Sequence, residues 1–266
     1  MKTFHDLLSG HAAKRVAVTD PINPPSMEFL GALAEAGHHV LVYGDAPGAC
    51  GSLADAFDAV GQEVDVIVNG ATEPSRFFRL LSDWTKKKNP KAFLSTVAVL
   101  ERPTKTLLVT DLTNPRPSLA EKVSILANAA KVASALGIEK PAVAAVTAVE
   151  KVDPVHQPAT VDAAALSKMS AIGQIKGMIV DGPMALDIAM SEHSAQVKGV
   201  SSPVAGKADV LLAPDAEAAS IMADTLELCA WAHRGQVIVG TVPVGFVHPT
   251  DTAASRFYSL ALALSI

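Results

Sequence analysis

Cysteine is nearly absent. Cys50 and Cys229 are the two in 266 residues, far apart and in no CxxC or Cys/His cluster. That spacing offers neither a zinc site nor a disulfide framework, so two isolated buried thiols in a reduced compartment are expected. The eight histidines are scattered, without an HExxH pair, which removes the usual helical metal motif and leaves no metal site expected. No GxSxG elbow exists for a serine hydrolase. The Gly-rich stretch 44–51 (GDAPGACG) fits neither GxGxxG nor GxxxxGKS/T and carries Pro47, so it reads as a surface loop. Excess positive charge is missing too: 22 basic residues against 27 acidic ones give a net charge of −5, the wrong sign for a nucleic-acid partner. No uncharged apolar run reaches the roughly 18 residues of a membrane span. The N-terminal MKTFHDLLSGHAAKR lacks the apolar core and small-residue cleavage site of a signal peptide, and a soluble cytoplasmic chain is expected.

Apolar residues, mostly Ala, Val and Leu, are plentiful at 49%, while aromatics are few at 5%. That composition suits buried strands and Ala-rich helices, with core enough for one large or two modest domains. Strands are expected at 15–19, 39–43, 64–68, 92–100, 106–110, 142–147, 178–180, 210–213 and 236–239. Helices are expected at 25–36, 52–60, 74–87, 118–136, 162–171, 185–192, 216–233 and 252–264, and a turn at 101–104. Gly37 and Gly137 read as helix stops, and Ser118 with Glu121 as a capping box. Repeated β-then-α order predicts a mostly parallel sheet layered between helices. The long helix from Ser118 marks the expected domain hinge.

Chemistry concentrates in a few loops. Arg79 follows the strand 64–68 and the loop Asn69-Gly-Ala-Thr72, where a guanidinium can pair bidentately with a phosphate. The neighbouring Lys86-Lys-Lys88 reads as a helix-terminal run that complements the macrodipole. In DLTNPRP (111–117), Thr113 and Asn114 can donate to a ligand and Arg116 can meet an anion. VDGPMALD (180–187) reads as strand, turn and helix. There Gly182 permits the turn, and Pro183 at the helix start leaves N–H groups open to an anion, with Asp181 beside them. SPVAGKAD (202–209) brings Ser202, Gly206 and the cation of Lys207 to another loop. In open α/β sheets such loops hold small anionic ligands.

These runs, with AVTAVEKV (145–152), PATVDAAALSKM (158–169), GQIKG (173–177), LLAPDAEA (211–218), IVG (238–240) and YSLALA (258–263), resemble the phosphate acetyl/butyryltransferase family, the phosphotransacylases, and within it the butyryltransferases. The likeness is dense over the last 120 or so residues. It continues upstream, in order, through Asn69-Gly70, Phe78-Arg79, Leu94-Ser-Thr-Val97 and Leu107 to Asp111.

The resemblance implies a two-domain, three-layer α/β/α fold like that of isocitrate and isopropylmalate dehydrogenases. Domain I would be 1–117 plus 239–266 and domain II 118–238, with the active site in the cleft between them and a homodimer as the assembly. It implies transfer of a short-chain acyl group between coenzyme A and inorganic phosphate: acyl-CoA plus phosphate giving acyl phosphate plus CoA. In the reverse direction a CoA thiolate, generated by a general base, attacks the acyl phosphate carbonyl. Coenzyme A is then a substrate, and no cofactor or metal is implied. Arg79 matches a family arginine for substrate phosphate, while Asp181 to Pro183 and Ser202 to Lys207 match cleft loops. The C-terminal corner departs from the family. Where a Ser-Arg pair is expected, this chain reads His248-Pro249, which puts phosphate handling in question. Phe93 stands where a basic residue is expected, and Ser255 where the acetyl branch has an aspartate. Asp251 matches an aspartate of the butyryl branch and also reads as an N-cap for the last helix. Three readings follow: a phosphate acyltransferase in which Arg79, Arg116 or His248 compensates, an acyltransferase with another acceptor, or a non-catalytic binding homologue. A dehydrogenase on the same fold has no nicotinamide fingerprint to support it.

Overall fold

The structure is a computed structural model that describes residues 2–9, 11–102, 105–230 and 232–266. Contacts group it into two compact units, a terminal unit of Lys2–Thr96 with His233–Ile266 and a central unit of Val97–Ala232. The expected division stood at 117/118 and 238/239.

The terminal unit begins with α1 (Phe4–Ser9), then β1 (Arg15–Thr19), α2 (Pro24–Glu35), β2 (His39–Tyr43), α3 (Leu53–Ala59), β3 (Val66–Asn69) and α4 (Pro74–Lys88). Helix starts follow local chemistry. Asn23 caps α2 by accepting from the Ser26 amide, with prolines in its first turn, and Ser52 and Asp55 form a capping box on α3. Gly37, at φ 80°, ends α2 in the left-handed conformation that glycine adopts without penalty. The lysine run does sit in the last turn of α4, where Lys88 pairs with Asp58 at 3.0 Å.

The central unit runs through β4 (Ser95–Glu101), β5 (Thr106–Thr110), α5 (Leu119–Ala135), β6 (Ala142–Val146), α6 (Ala159–Ala171), β7 (Ile179–Met184), α7 (Leu186–Met190), α8 (Glu192–Val197), β8 (Val210–Leu212) and α9 (Ala216–Ala230). Ser118 and Glu121 make the expected capping box on α5. Strand order is β4-β5-β8-β6-β7, parallel except for the β4-β5 hairpin. Ala144, Val146, Met184, Ile188, Leu211 and Ala219 form the core on the α7–α9 face, while on the other face the ammonium of Lys122 on α5, nearly buried, reaches Asp162 on α6 at 2.7 Å.

The chain then returns to the terminal unit with β9 (His233–Val239), β10 (Val244–Gly245) and α10 (Ala253–Ala263). The order here is β2-β1-β3-β10-β9, parallel except for β9. Phe57 and Phe77 meet edge-on at 5.6 Å beneath α3 and α4, and Phe29 meets Phe257 at 5.1 Å between α2 and α10. Each fully buried ring contributes about 2–3 kcal/mol of burial energy.

Several expectations need correction. The DGP stretch is not a turn: β7 runs through it to Met184, and the next helix starts at Leu186. Gly182 lies so close to β6 that a Cβ would stand 2.7 Å from the Ala145 carbonyl oxygen, and a register shift falls at that point. A ladder that breaks step there accommodates a proline without an N–H donor. Asp251 is not the cap of α10; Thr252 accepts from the Ser255 amide instead. His233 belongs to β9 rather than to a helix, because Gly235 packs against Tyr258 and Leu262 of α10 with no room for a side chain. Cys50 and Cys229 are free and exposed rather than buried. The short elements α1 and β10 were not expected, since neither is long enough to show a period. Pro103 and Thr104 of the expected turn, and Trp231 of the expected helix, lie outside the described residues.

Candidate functional site

The parallel strands β1, β2, β3 and β10 deliver their carboxyl ends to one edge of the terminal sheet, and their loops interlock there. The helix after β1, α2, packs with α10, whereas α4, after β3, packs with α3. The chain therefore leaves β1 and β3 toward opposite faces, a topological switch point of the kind where open α/β sheets bind ligands. Asp20 stands at the end of β1, buried and at φ 46°. Its Oδ1 accepts from the amides of Asp45 (2.6 Å) and Ala46 (3.2 Å), and its Oδ2 from the Thr72 hydroxyl (2.7 Å). One carboxylate thus ties three loops. Gly44 is required beside it, because a Cβ there would lie 2.2 Å from Asp20 Oδ1. The 44–51 stretch is accordingly the loop its sequence suggests, closed by the Gly44 amide on the Gly51 carbonyl at 2.8 Å.

The segment after β10 is held from three sides. Buried Asn69 accepts from the Val247 amide (2.6 Å) and donates to the Val247 carbonyl (2.8 Å). Asn23 Nδ2 donates to the Pro249 carbonyl at 2.8 Å. Fully buried Arg256 completes the hold: Nε donates to the Asp251 carbonyl, one terminal nitrogen to the carbonyls of Asn69 and Gly70, and the other to those of His248 and Pro249, all at 3.2–3.3 Å. A guanidinium has five N–H donors, and backbone oxygens take all of them. Burial lowers the pKa of Arg256 from its ordinary value, with nearby Asp251 opposing. Of the expected site residues, His248 and Asp251 are brought together, the Asp251 carboxylate accepting from the His248 amide at 2.9 Å. The His248 ring is exposed, with Nδ1 on Thr250 Oγ1 at 2.8 Å. Arg79 stands on α4, exposed and without an ion pair or hydrogen bond among the described residues.

In the central unit the 111–117 segment leaves the carboxyl end of β5, Asp181 to Pro183 lie within β7, and 202–209 leads into the amino end of β8. Buried Asp111 folds 111–114 on itself, accepting from the Thr113 amide (3.1 Å) and hydroxyl (2.9 Å) and from the Asn114 side-chain amide. Thr113 and Asn114 thus donate to Asp111. Asp181 Oδ1 accepts from Ser167 on α6 (2.7 Å) and from the Gly182 amide (2.9 Å). The peptides Thr110-Asp111 and Gly182-Pro183 are both cis. Ser202 accepts from the Val204 amide. The Gly206 amide donates to the Ile188 carbonyl at 2.8 Å, and Lys207, exposed, stands 3.5 Å from Glu192. Among the described residues no hydrogen bond or ion pair joins Ser202, Gly206 or Lys207 to Asp181. Lys198, outside the expected set, ties Glu150 (2.7 Å) to Asp187 (3.0 Å).

Asp20, Asn23, Asp111 and Arg256 organise these clusters without having been singled out in the sequence. Arg256 had a signal: it lies with Ser255, Ser259, Leu260 and Ala263 on the buried stripe of α10, where a cation calls for buried acceptors. Among the described residues no group of three or more His, Cys, Asp or Glu could hold a metal ion, and no helix is long and apolar enough to cross a membrane.

Two α/β units, each a largely parallel sheet with helices between its strands, make this a fold of the isocitrate/isopropylmalate dehydrogenase type. A solved structure of a branched-chain phosphotransacylase from Enterococcus faecalis V583 superimposes with a TM-score of 0.78 and 27% identity, over 95% of this chain and 98% of that one. The family model "Phosphate acetyl/butaryl transferase" matches residues 56–262. A phosphate butyryltransferase of Clostridium acetobutylicum is 42% identical over 205 residues, which is 76% of this chain and 68% of the relative. A phosphate acetyltransferase of Thermotoga maritima is 39% identical over 216 residues, 78% and 72% of the two chains. The chain belongs to the phosphate acetyl/butyryltransferase family.

Proposed function

We propose that the protein transfers a short-chain acyl group between coenzyme A and inorganic phosphate, acyl-CoA plus phosphate giving acyl phosphate plus CoA. Family membership over residues 56–262 is the observation that carries this reading. In the acyl-phosphate direction the CoA thiol loses its proton to a base, and the thiolate sulfur bonds to the carbonyl carbon. The C–O bond to phosphate then breaks, and phosphate leaves with the electron pair. The chemistry calls for N–H donors and cations on the phosphate and for oriented donors at the carbonyl oxygen, where charge develops. We assign the phosphate side to Arg79 and to the His248–Asp251 turn. The remaining substrate contacts go to Asn114, to Asp181, Gly182 and Pro183, and to Ser202, Gly206 and Lys207. The exposed, unpaired guanidinium of Arg79 supports its part in this assignment. The reading extends to a cytoplasmic homodimer that needs no metal or further cofactor, with gel filtration and chelation as checks.

A thiol-release assay with acetyl-, propionyl- and butyryl-CoA, with and without phosphate, tests the reaction. Phosphate-dependent CoA release is expected, and Arg79→Ala should raise the KM for phosphate about tenfold or more. Absence of release with every acyl-CoA would overturn the assignment and leave a binding homologue. A second reading, transfer to another acceptor, has one observation behind it. Pro249 supplies no guanidinium, its carbonyl is turned toward Asn23 and Arg256, and Arg256 has no donor left for a ligand. CoA release that ignores phosphate and responds to an added alcohol or amine would favour it.

A further inference from the structure

We propose that His248 serves the phosphate as a hydrogen-bond donor through its Nε2–H and not as a general base, an assignment that deepens, and rests on, the phosphate acyltransferase reading. The tautomer follows from the turn. Thr250 offers Nδ1 two partners, its hydroxyl at 2.8 Å and its backbone amide at 3.4 Å. A backbone N–H can only donate, so Nδ1 is the acceptor, and the proton of the neutral ring sits on Nε2. Among the described residues Nε2 has no partner, and the residue is exposed. An outward N–H is therefore available to an anion, while no lone pair faces out to take a thiol proton.

The rest of the corner favours the same role. The His248 backbone is fixed at both ends of its peptide links, its amide on Asp251 Oδ2 at 2.9 Å and its carbonyl on Arg256 at 3.3 Å. Arg256 and Asn23 both bond the next carbonyl, that of Pro249. A donor is useful only if its position is set beforehand, because then no reorganisation is needed as charge moves onto the phosphate oxygens. This turn also occupies the place where a Ser-Arg pair was expected, and Arg256 cannot fill that place with its five N–H groups already bonded. One imidazole N–H is the donor that the corner retains.

Two variants separate donor from base. Glutamine carries an amide N–H at about the distance of Nε2 but cannot act as a base near neutrality. His248→Gln should keep the KM for phosphate within about threefold of the parent, and His248→Ala should raise it about tenfold. The KM for acyl-CoA should stay unchanged in both. A Gln variant as impaired as the Ala variant overturns the proposal, as does an Ala variant with parental kinetics. A second measurement does not depend on turnover. An imidazole 15N spectrum of the intact protein should show Nε2 protonated and Nδ1 unprotonated, with the Nε2 signal moving as inorganic phosphate is added. A ring protonated at Nδ1, or an Nε2 signal indifferent to phosphate, rejects the donor assignment. If the spectrum behaves as expected while the parent releases no CoA with any acyl donor, the donor stands and the acyltransferase reading is what fails.

Discussion

The two loop clusters reach the same end by opposite means. In the terminal unit the cross-links join residues far apart in sequence: Asn69 to Val247 is 178 positions, Arg256 to Asn69 is 187, and Asn23 to Pro249 is 226. In the central unit the comparable bonds span 2 positions from Asp111 to Thr113, 2 from Ser202 to Val204 and 14 from Ser167 to Asp181. A locally closed loop needs little from the rest of the fold. A loop closed over most of the chain exists only once the sheet has brought its ends together, and each bond then offsets a larger entropic cost. The terminal cluster should be the more cooperative of the two, failing as a whole when one link is cut.

The largest effect is expected from the residue that makes the most of these bonds. Arg256→Met strands carbonyls of Asn69, Gly70, His248, Pro249 and Asp251 in a buried place and should cost about 3 kcal/mol in chemical denaturation. The matching cation of the central unit, Lys122, has one carboxylate partner that is itself partly exposed. Lys122→Met should therefore cost about 1 kcal/mol, and equal losses would break the comparison.

Glycine contacts give the next contrast. A Cβ on Gly70 would stand 2.1 Å from the Thr19 carbonyl oxygen, and one on Gly182 would stand 2.7 Å from that of Ala145. Both obstacles are backbone, so both alanine variants are destabilised, Gly70→Ala by about 3 kcal/mol and Gly182→Ala by about 1–2 kcal/mol. A reversed order would mean that β1 yields more easily than β6. Smaller still is Ser202→Ala, which removes a two-residue side-chain turn and should cost about 0.5 kcal/mol. A loss approaching that of Arg256→Met would show that the central loops are not locally closed.

The smallest effect is in pH. His38, just before β2, is partly buried, and its Nδ1 accepts from the Lys14 amide at 3.0 Å. Burial lowers its pKa in the folded chain below the ordinary 6.5. The unfolded chain then takes up the proton first as pH falls through 6.5, so this contribution is full above that value and fades below it. His38→Gln should flatten the fall of Tm between pH 7.5 and 5 by about 1 °C. An unchanged slope would place the acid sensitivity elsewhere.

Legibility in the sequence follows the same divide. Strands β1, β2 and β5 lie where apolar runs put them, and the capping box at Ser118 and the stop at Gly137 are visible as written, because period, cap and stop are encoded within a few residues. The DGP run misled because Gly and Pro mark turns in isolation, and only the neighbouring strand shows that β7 continues through them. Asp251 looked like a cap because it precedes a helix, yet the turn with His248 claims its carboxylate. Arg256 was readable only as a charge on an apolar stripe; two of its partners, the carbonyls of Asn69 and Gly70, lie 187 and 186 positions away.

What the sequence by itself determined was the alternation of strands and helices, the family likeness, and the short turns at Asp111 and Ser202, which depend on neighbours a few positions apart. The tertiary structure alone decided which loops Arg256, Asn69 and Asp20 bind together. The physical reason is that buried polar groups must find partners wherever the fold places them, and those places are set by strand order rather than by distance along the chain.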